Sequence, residues 1–354
     1  HTVDGVTLLG EGGSESFEAP REFSEIVLNL LADLGVDMDL FASSYDADFF
    51  KRHNLGAVMY FNKETFGEDK VVKHPFCDYP GFVEGLMRPT LSVEEAVQQT
   101  PLSEKGKEQL LRILTGGQHV LNVPKEELRD YIRTHSYFDY LENTLGVDDP
   151  AVLKMARHTA IDYGEGGTDV MSIRGALASG SLGSDPYASW QDALEEGAYQ
   201  EYVNKEGGTY SVEYPFIQHY PDGNATIARM LVKKMIPNVG PGENPEEIIL
   251  SKFDYAELDR SSNSVRLRLN STVVNVRHGG DPASSSEVFV NYIRDNKSYQ
   301  VKAKCVVMAC YNMMIPYIVS DLPKEQDAAL RRITKVPFQY TTVAVKNWRA
   351  MKEM

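Results

Sequence analysis

Six consecutive residues, Cys305 to Cys310, read CVVMAC, an unbroken apolar run. Such a run suits a strand buried on both faces of a parallel sheet. The segments before it have a different pattern. Val265, Leu267 and Leu269 alternate with Arg266 and Arg268, Thr272 to Arg277 is rich in β-branched residues, and Glu287 to Arg294 with Ser298 to Lys302 read as a hairpin around Asp295-Asn296. An antiparallel meander that hands over to a buried parallel strand is a specific α/β arrangement. Within it Cys305 and Cys310 are expected to be small buried hydrophobes. With Cys77 they are too few and too scattered for a disulfide framework or a zinc site, and no metal site is expected.

The first two thirds of the chain read differently again. Phe23, Ile26, Val27, Leu30, Leu31 and Leu34 recur at helical spacing from Arg21 to Leu34, and Gly35 supplies the left-handed residue that ends such a helix. From Leu91 to Gly180 the pattern stays helical, with Pro124 and Pro150 placed where a first turn tolerates them. The character changes near Tyr214. A short helix is expected over Asn224 to Ile236, closed by Pro237, Gly240 and Gly242.

Composition narrows the function classes. The chain has 354 residues, 42% of them hydrophobic, enough for two domains with cores, and no apolar run approaches the length of a membrane helix. A net charge of −15 argues against a nucleic-acid partner, which calls for clustered Lys and Arg; a cationic substrate fits better. The first residues, HTVDGVTLLGEGG, lack the basic start and apolar stretch of a signal peptide. Localisation stays open between bacterial cytoplasm and periplasm.

A dinucleotide site usually announces itself as G-x-G-x-x-G between strand and helix. That motif is absent. The clusters Gly10 to Gly13 and Gly164 to Gly167 read as turns, and no HExxH, CxxC, CxxCH or GxSxG occurs. His219 stands out because it lies in a polar, aromatic turn, Phe216 to Asn224, that opens directly into the next helix. Unpaired N–H groups at that helix start, near Gly223, suit either a flavin edge or a capping side chain from Asp222 or Asn224.

Three blocks taken together resemble the flavin-dependent amine oxidases. They are Thr2 to Ser16 with the following helix to Gly35, His219 to Pro237 (HYPDGNATIARMLVKKMIP), and Leu269 to Val276 with Cys305 to Pro316. Their wording, with that of Tyr163 to Asp169 and Val345 to Ala350, is similar to bacterial spermidine dehydrogenases. The resemblance implies a partial FAD/NAD(P)-binding fold with a mainly helical substrate domain. On that reading residues 1–20 and 211–322 belong to the FAD-binding domain, and 21–210 and 323–354 to the substrate domain. It also implies that the chain is part of a longer protein whose phosphate-binding glycine loop and last FAD segment lie outside these 354 residues, so that this piece alone would not retain FAD.

Carried over position by position, Gly12, Gly13, Ser14 and Glu15 match residues lining the flavin. The Val273 backbone matches the adenine contact, and Ala309 and Cys310 match positions near the dinucleotide. Thr7 to Ser14, Val273 to Val276 and Cys305 to Ala309 are therefore expected to converge. The implied reaction is oxidation of an amine C–N bond with hydride passing to FAD, then to an unidentified electron acceptor; haem b is a further cofactor the resemblance allows. A polyamine substrate calls for aromatic faces and a carboxylate at a set distance, and His219 and Tyr220 are the candidates on the substrate side. Two alternatives stand beside this. One is a desaturase-like or protoporphyrinogen-oxidase-like flavoprotein, and the other a non-catalytic binding module built from the Leu91 to Gly180 helices.

Overall fold

The computed structural model describes residues 2–18, 20, 23–46, 48–74, 76, 91–115, 123–164, 166–178, 181–183, 217–335, 339 and 341–353. Cys77, Arg21, Tyr214, Phe216 and Gly180 lie outside them. Helices mix with small antiparallel sheets, an α/β composition, and the chain divides into two compact units, residues 1–225 with 342–354 and residues 226–341. Among the described residues no helix is long and apolar enough to cross a membrane.

The first unit opens on a two-residue hairpin, β1 (Thr2–Val3) with β2 (Val6–Thr7), turned by Asp4 (φ 50°) and Gly5 (φ 78°). Positive φ at both central residues gives the turn the twist that a hairpin needs. Two further pairs form: β4 (Met59–Phe61) with β5 (Lys70–Val72), and, from distant parts of the chain, β3 (Phe17–Glu18) antiparallel to β6 (Ile217–Gln218). The expected Arg21 to Leu34 helix is formed over Glu25–Asp33, shorter than its apolar pattern. Gly35 (φ 81°) ends it as foreseen: its N–H reaches the Ala32 carbonyl and that of Val36 reaches Leu31, a paired closure of the last turn. Only Leu31 and Leu34 of the apolar set are buried, while Ile26 is 81% exposed.

The stretch after Leu91 is helical as expected, with helices at Val93–Gln99, Glu104–Thr115, Lys125–Thr134, Pro150–Gly164 and Ile173–Ala178. Ser92 and Glu95 start the first with a reciprocal cap, the hydroxyl accepting the Glu95 N–H and the carboxylate the Ser92 N–H. These helices enclose the main core, in which Leu110, Ile132, Tyr137, Leu141, Met155 and Ile173 are fully buried. Asp149 is buried with its needs met: it accepts the Ala151 and Val152 N–H groups and the Ser103 hydroxyl, and so caps the Pro150–Gly164 helix. The second glycine cluster is packed here rather than open. A Cβ on Gly166 would meet Val170 at 3.0 Å.

The chain returns to this unit at its end. Trp348 packs on Phe49 and His53, at ring separations of 5.0 and 4.5 Å, and Lys346 pairs with Asp4 at 3.0 Å. Desolvation, with Lys352, Arg52 and Arg349 adding repulsion, holds the His53 imidazolium pKa below its usual value.

The second unit begins in the first turn of the Ala225–Met235 helix, one residue inside the expected bounds at each end. Ile236, Val239 and Leu258 form a small core with Val232 and Phe253. Beyond it lies the expected meander: β7 (Thr272–His278), β8 (Val288–Arg294) and β9 (Lys297–Ala303), in the order β7-β8-β9. Asp295 (φ 50°) and Asn296 (φ 56°) make the tight turn foreseen for them.

Two strand expectations fail in this unit. Val265 to Leu269 joins no ladder among the described residues: Leu267 donates its N–H to the Leu258 carbonyl at 2.8 Å, and Asp259 holds Arg266 and Arg268. Cys305 to Cys310 is not a strand and is not buried. Among the described residues β9 ends at Ala303 and no strand runs beside the apolar run, so Val307 is 87% exposed and both cysteines are exposed. A parallel-type strand is buried only by neighbours on both faces, and this segment lacks them.

Charge is divided unequally. Residues 226–341 hold 16 of the 36 Lys and Arg but only 12 of the 51 Asp and Glu, for a net +4; the first unit therefore carries −19.

Candidate functional site

The site is built where β3 and β6 bring residues 12–18 alongside residues 217–225. Gly12 donates its N–H to the Asp222 carbonyl at 2.9 Å and accepts the Ala225 N–H at 2.8 Å, and the Asn224 N–H reaches the Ser14 carbonyl at 2.9 Å. The Asn224 side-chain amide adds bonds to Ser14 Oγ (2.7 Å) and the Ser16 carbonyl (3.1 Å). Four expected site residues, Gly12, Gly13, Ser14 and Gly223, are thus gathered from positions some 210 residues apart.

This geometry corrects one expectation about the helix start. The Asn224 and Ala225 N–H groups are not open to a ligand; the Ser14 and Gly12 carbonyls occupy them. Asn224 turns its amide to the 14–16 segment, and Asp222 meets Gly12 through its backbone carbonyl. Gly223 has a local reason to lack a side chain: its φ is +67°, and a Cβ would lie 3.0 Å from the Gly12 oxygen.

An aromatic group lines the same region. Tyr220, 4% exposed, stacks on Phe41 at 4.5 Å and 13°, and Phe17 meets both rings edge-on. Tyr45 holds the turn itself: its hydroxyl donates to the His219 carbonyl at 3.0 Å and accepts the His219 N–H, while the two rings meet edge-on at 5.8 Å. Burial raises the Tyr45 phenol above its usual pKa, against the lowering effect of the His219 hydrogen bond. Its hydroxyl is a neutral donor at ordinary pH.

Tyr45 and Phe41 have no place in the sequence reading, although a signal exists. Asp37 caps the Met38–Ser43 helix by accepting the Asp39 and Leu40 N–H groups, and Phe41 and Tyr45 follow four residues apart, the spacing that puts two rings on one side of a turn.

The remaining expected residues make none of these contacts. Glu15 is half-buried beside Ser14. Val273 lies on β7 of the second unit, 37% exposed, opposite Tyr292 and next to an irregularity in the ladder. Ala309 and Cys310 are in the exposed segment of that unit. No metal-holding cluster of His, Cys, Asp and Glu occurs among the described residues. Comparison with known proteins finds no family model and no curated protein that matches the chain.

The fit of a flavin can be tested on residues 10–14 themselves. The side of Gly12 facing Ala225 is filled, with a Cβ meeting that methyl at 3.1 Å. Gly10, by contrast, has nothing within 4 Å of a Cβ, and Gly13 and Ser14 are exposed. A Cβ on Gly13 would meet the Ala225 nitrogen at 3.7 Å, and Ser14 Oγ accepts from the Asn224 amide, so Gly10 is the open position of the segment. A flat ring can lie against backbone where a side chain would hold it off, and Gly10 and the exposed Gly13 leave room for one at this segment.

Proposed function

We propose that this chain carries the flavin-facing and amine-facing walls of an FAD-dependent oxidoreductase that oxidises C–N bonds of amines or polyamines. The observation that carries this reading is the packing of Gly12, Gly13 and Ser14 on the turn from Asp222 to Ala225, which directly follows His219 and Tyr220 in the chain. Bound FAD would supply the two-electron acceptor.

The protein's own contributions are orientation and charge. Gly10 and the exposed Gly13 leave backbone open to the ring system, and Tyr45, through both backbone groups of His219, fixes the turn that presents the imidazole. The half-buried Tyr45 ring beside His219 offers a cation a favourable quadrupole. The concentration of acidic residues in this unit draws cationic substrates towards it and favours a polyamine over the apolar substrates of the alternative flavoprotein reading.

The test is steady-state oxidation of spermidine and of an apolar monoamine by the flavin-loaded protein, beside His219→Ala. The expected result is a preference for the polyamine and at least about tenfold loss in the variant at unchanged flavin content. Equal rates for the two substrates would contradict the polyamine reading, and an unaffected variant would remove His219 from the substrate side.

A further inference from the structure

The densest charge cluster of the second unit lies around Asp259. Arg266 donates from Nε to Asp259 Oδ1 at 2.8 Å, Arg268 from Nε to Oδ2 at 2.8 Å and from its second amino group to Oδ1 at 3.1 Å, and Arg294 to Oδ2 at 3.3 Å. Three guanidiniums share one carboxylate. The next acid, Asp295, approaches Arg294 only to 3.8 Å and is 82% exposed, so solvent weakens its hold.

Sheet register adds to the cluster. Arg294 is opposite Lys297 and Tyr292 opposite Tyr299, so these four side chains emerge on one face. Tyr292 and Tyr299 stack at 5.3 Å and 15°, and Arg268 ties the cluster to them by donating to the Tyr292 hydroxyl at 2.8 Å. Tyr299 is 41% exposed and Lys297 is exposed, with no ion pair among the described residues. This face therefore combines surplus cations with an accessible ring, in the unit that is net positive within an acidic chain.

We propose that Arg266 and Arg294, set in place by Asp259, form with Lys297 opposite Arg294 a binding site for a phosphorylated small molecule. Three guanidiniums and Lys297 face two carboxylates, Asp259 and the largely exposed Asp295, and Arg forks match phosphate oxygens in geometry as well as charge. Asp259 orders long side chains in advance, so that less conformational freedom is lost when an anion arrives. The Tyr299 ring lies on the same face and offers a stacking surface to a planar group attached to the phosphate. Arg277 provides an internal contrast: it pairs with the opposite face of the sheet, over Phe289 at 5.0 Å.

The probe is pyrophosphate, titrated calorimetrically into the protein at constant ionic strength. Saturable one-site binding is expected, weakened about tenfold by Arg266→Ala and again by Arg294→Ala, the scale of one charge-assisted hydrogen bond, and changed less than about twofold by Arg277→Ala. A measurement on the native chain needs no variant. Phenylglyoxal labelling followed by peptide mapping should show pyrophosphate protecting Arg266 and Arg294 while Arg277 stays reactive. Absence of saturable binding, equal weakening by Arg277→Ala, or uniform protection would overturn the site.

Discussion

Gly223 sits against the Gly12 backbone so closely that a Cβ on Gly223 would lie 3.0 Å from the Gly12 oxygen and 3.2 Å from its nitrogen. The contact joins two segments some 210 residues apart and leaves room for no other residue. Gly223→Ala combines that clash with a positive φ, and an expected loss of about 1–3 kcal/mol follows. Gly10→Ala, in open space, should stay within about 0.5 kcal/mol. Urea unfolding of the two variants checks the pair, and equal stabilities would contradict the packing described for the turn.

Tyr45→Phe removes the hydroxyl that serves both backbone groups of His219. Stability should fall by about 1–2 kcal/mol, and amide exchange at His219 should accelerate while exchange in the Pro150–Gly164 helix is unchanged. Unaltered protection at His219 would show that the turn is held by other contacts.

Asp259 makes a prediction in pH. The Arg268 hydrogen bond, helped by Arg266 and opposed by partial burial, lowers its pKa from 3.8 to about 2. A carboxyl with a depressed folded pKa contributes stability that is fully present above its unfolded value and is lost as pH falls through the folded one. The second unit should therefore weaken as pH drops from about 4 to about 2. Asp259→Asn should be less stable at neutral pH and show a shallower decline over that window; matching acid profiles would contradict the role given to this carboxylate.

The exposed run after Lys304 predicts an unusual tolerance. Val307→Asp would be severe in a buried strand, but at 87% exposure it should change stability by less than about 0.5 kcal/mol. It should also reduce aggregation, since it places a charge in an exposed apolar segment of high β-propensity. Light scattering and thermal unfolding measure both effects, and a large loss of stability would return this segment to a core.

What the sequence reveals about this protein depends on how local the cause is. The Gly35 helix stop, the Asp295-Asn296 turn and the helices after Leu91 are written in adjacent residues, and all three are formed. Cys305 to Cys310 has the composition of a central strand, but burial depends on neighbouring strands that its own letters do not encode. Val265 to Leu269 alternates as a strand should, yet its arginines are drawn to Asp259. At the candidate site the glycines are visible in the sequence, whereas their packing against the helix start is not. Tyr45 is equally hidden, because its partner His219 lies 174 positions away.

The most direct test of the proposed function is the visible absorption spectrum of the protein purified from its complete reading frame, before and after anaerobic addition of spermidine. Oxidised-flavin bands at one flavin per chain, bleached by spermidine, are the predicted result. A protein without flavin absorbance, or with flavin that no polyamine reduces, would contradict it.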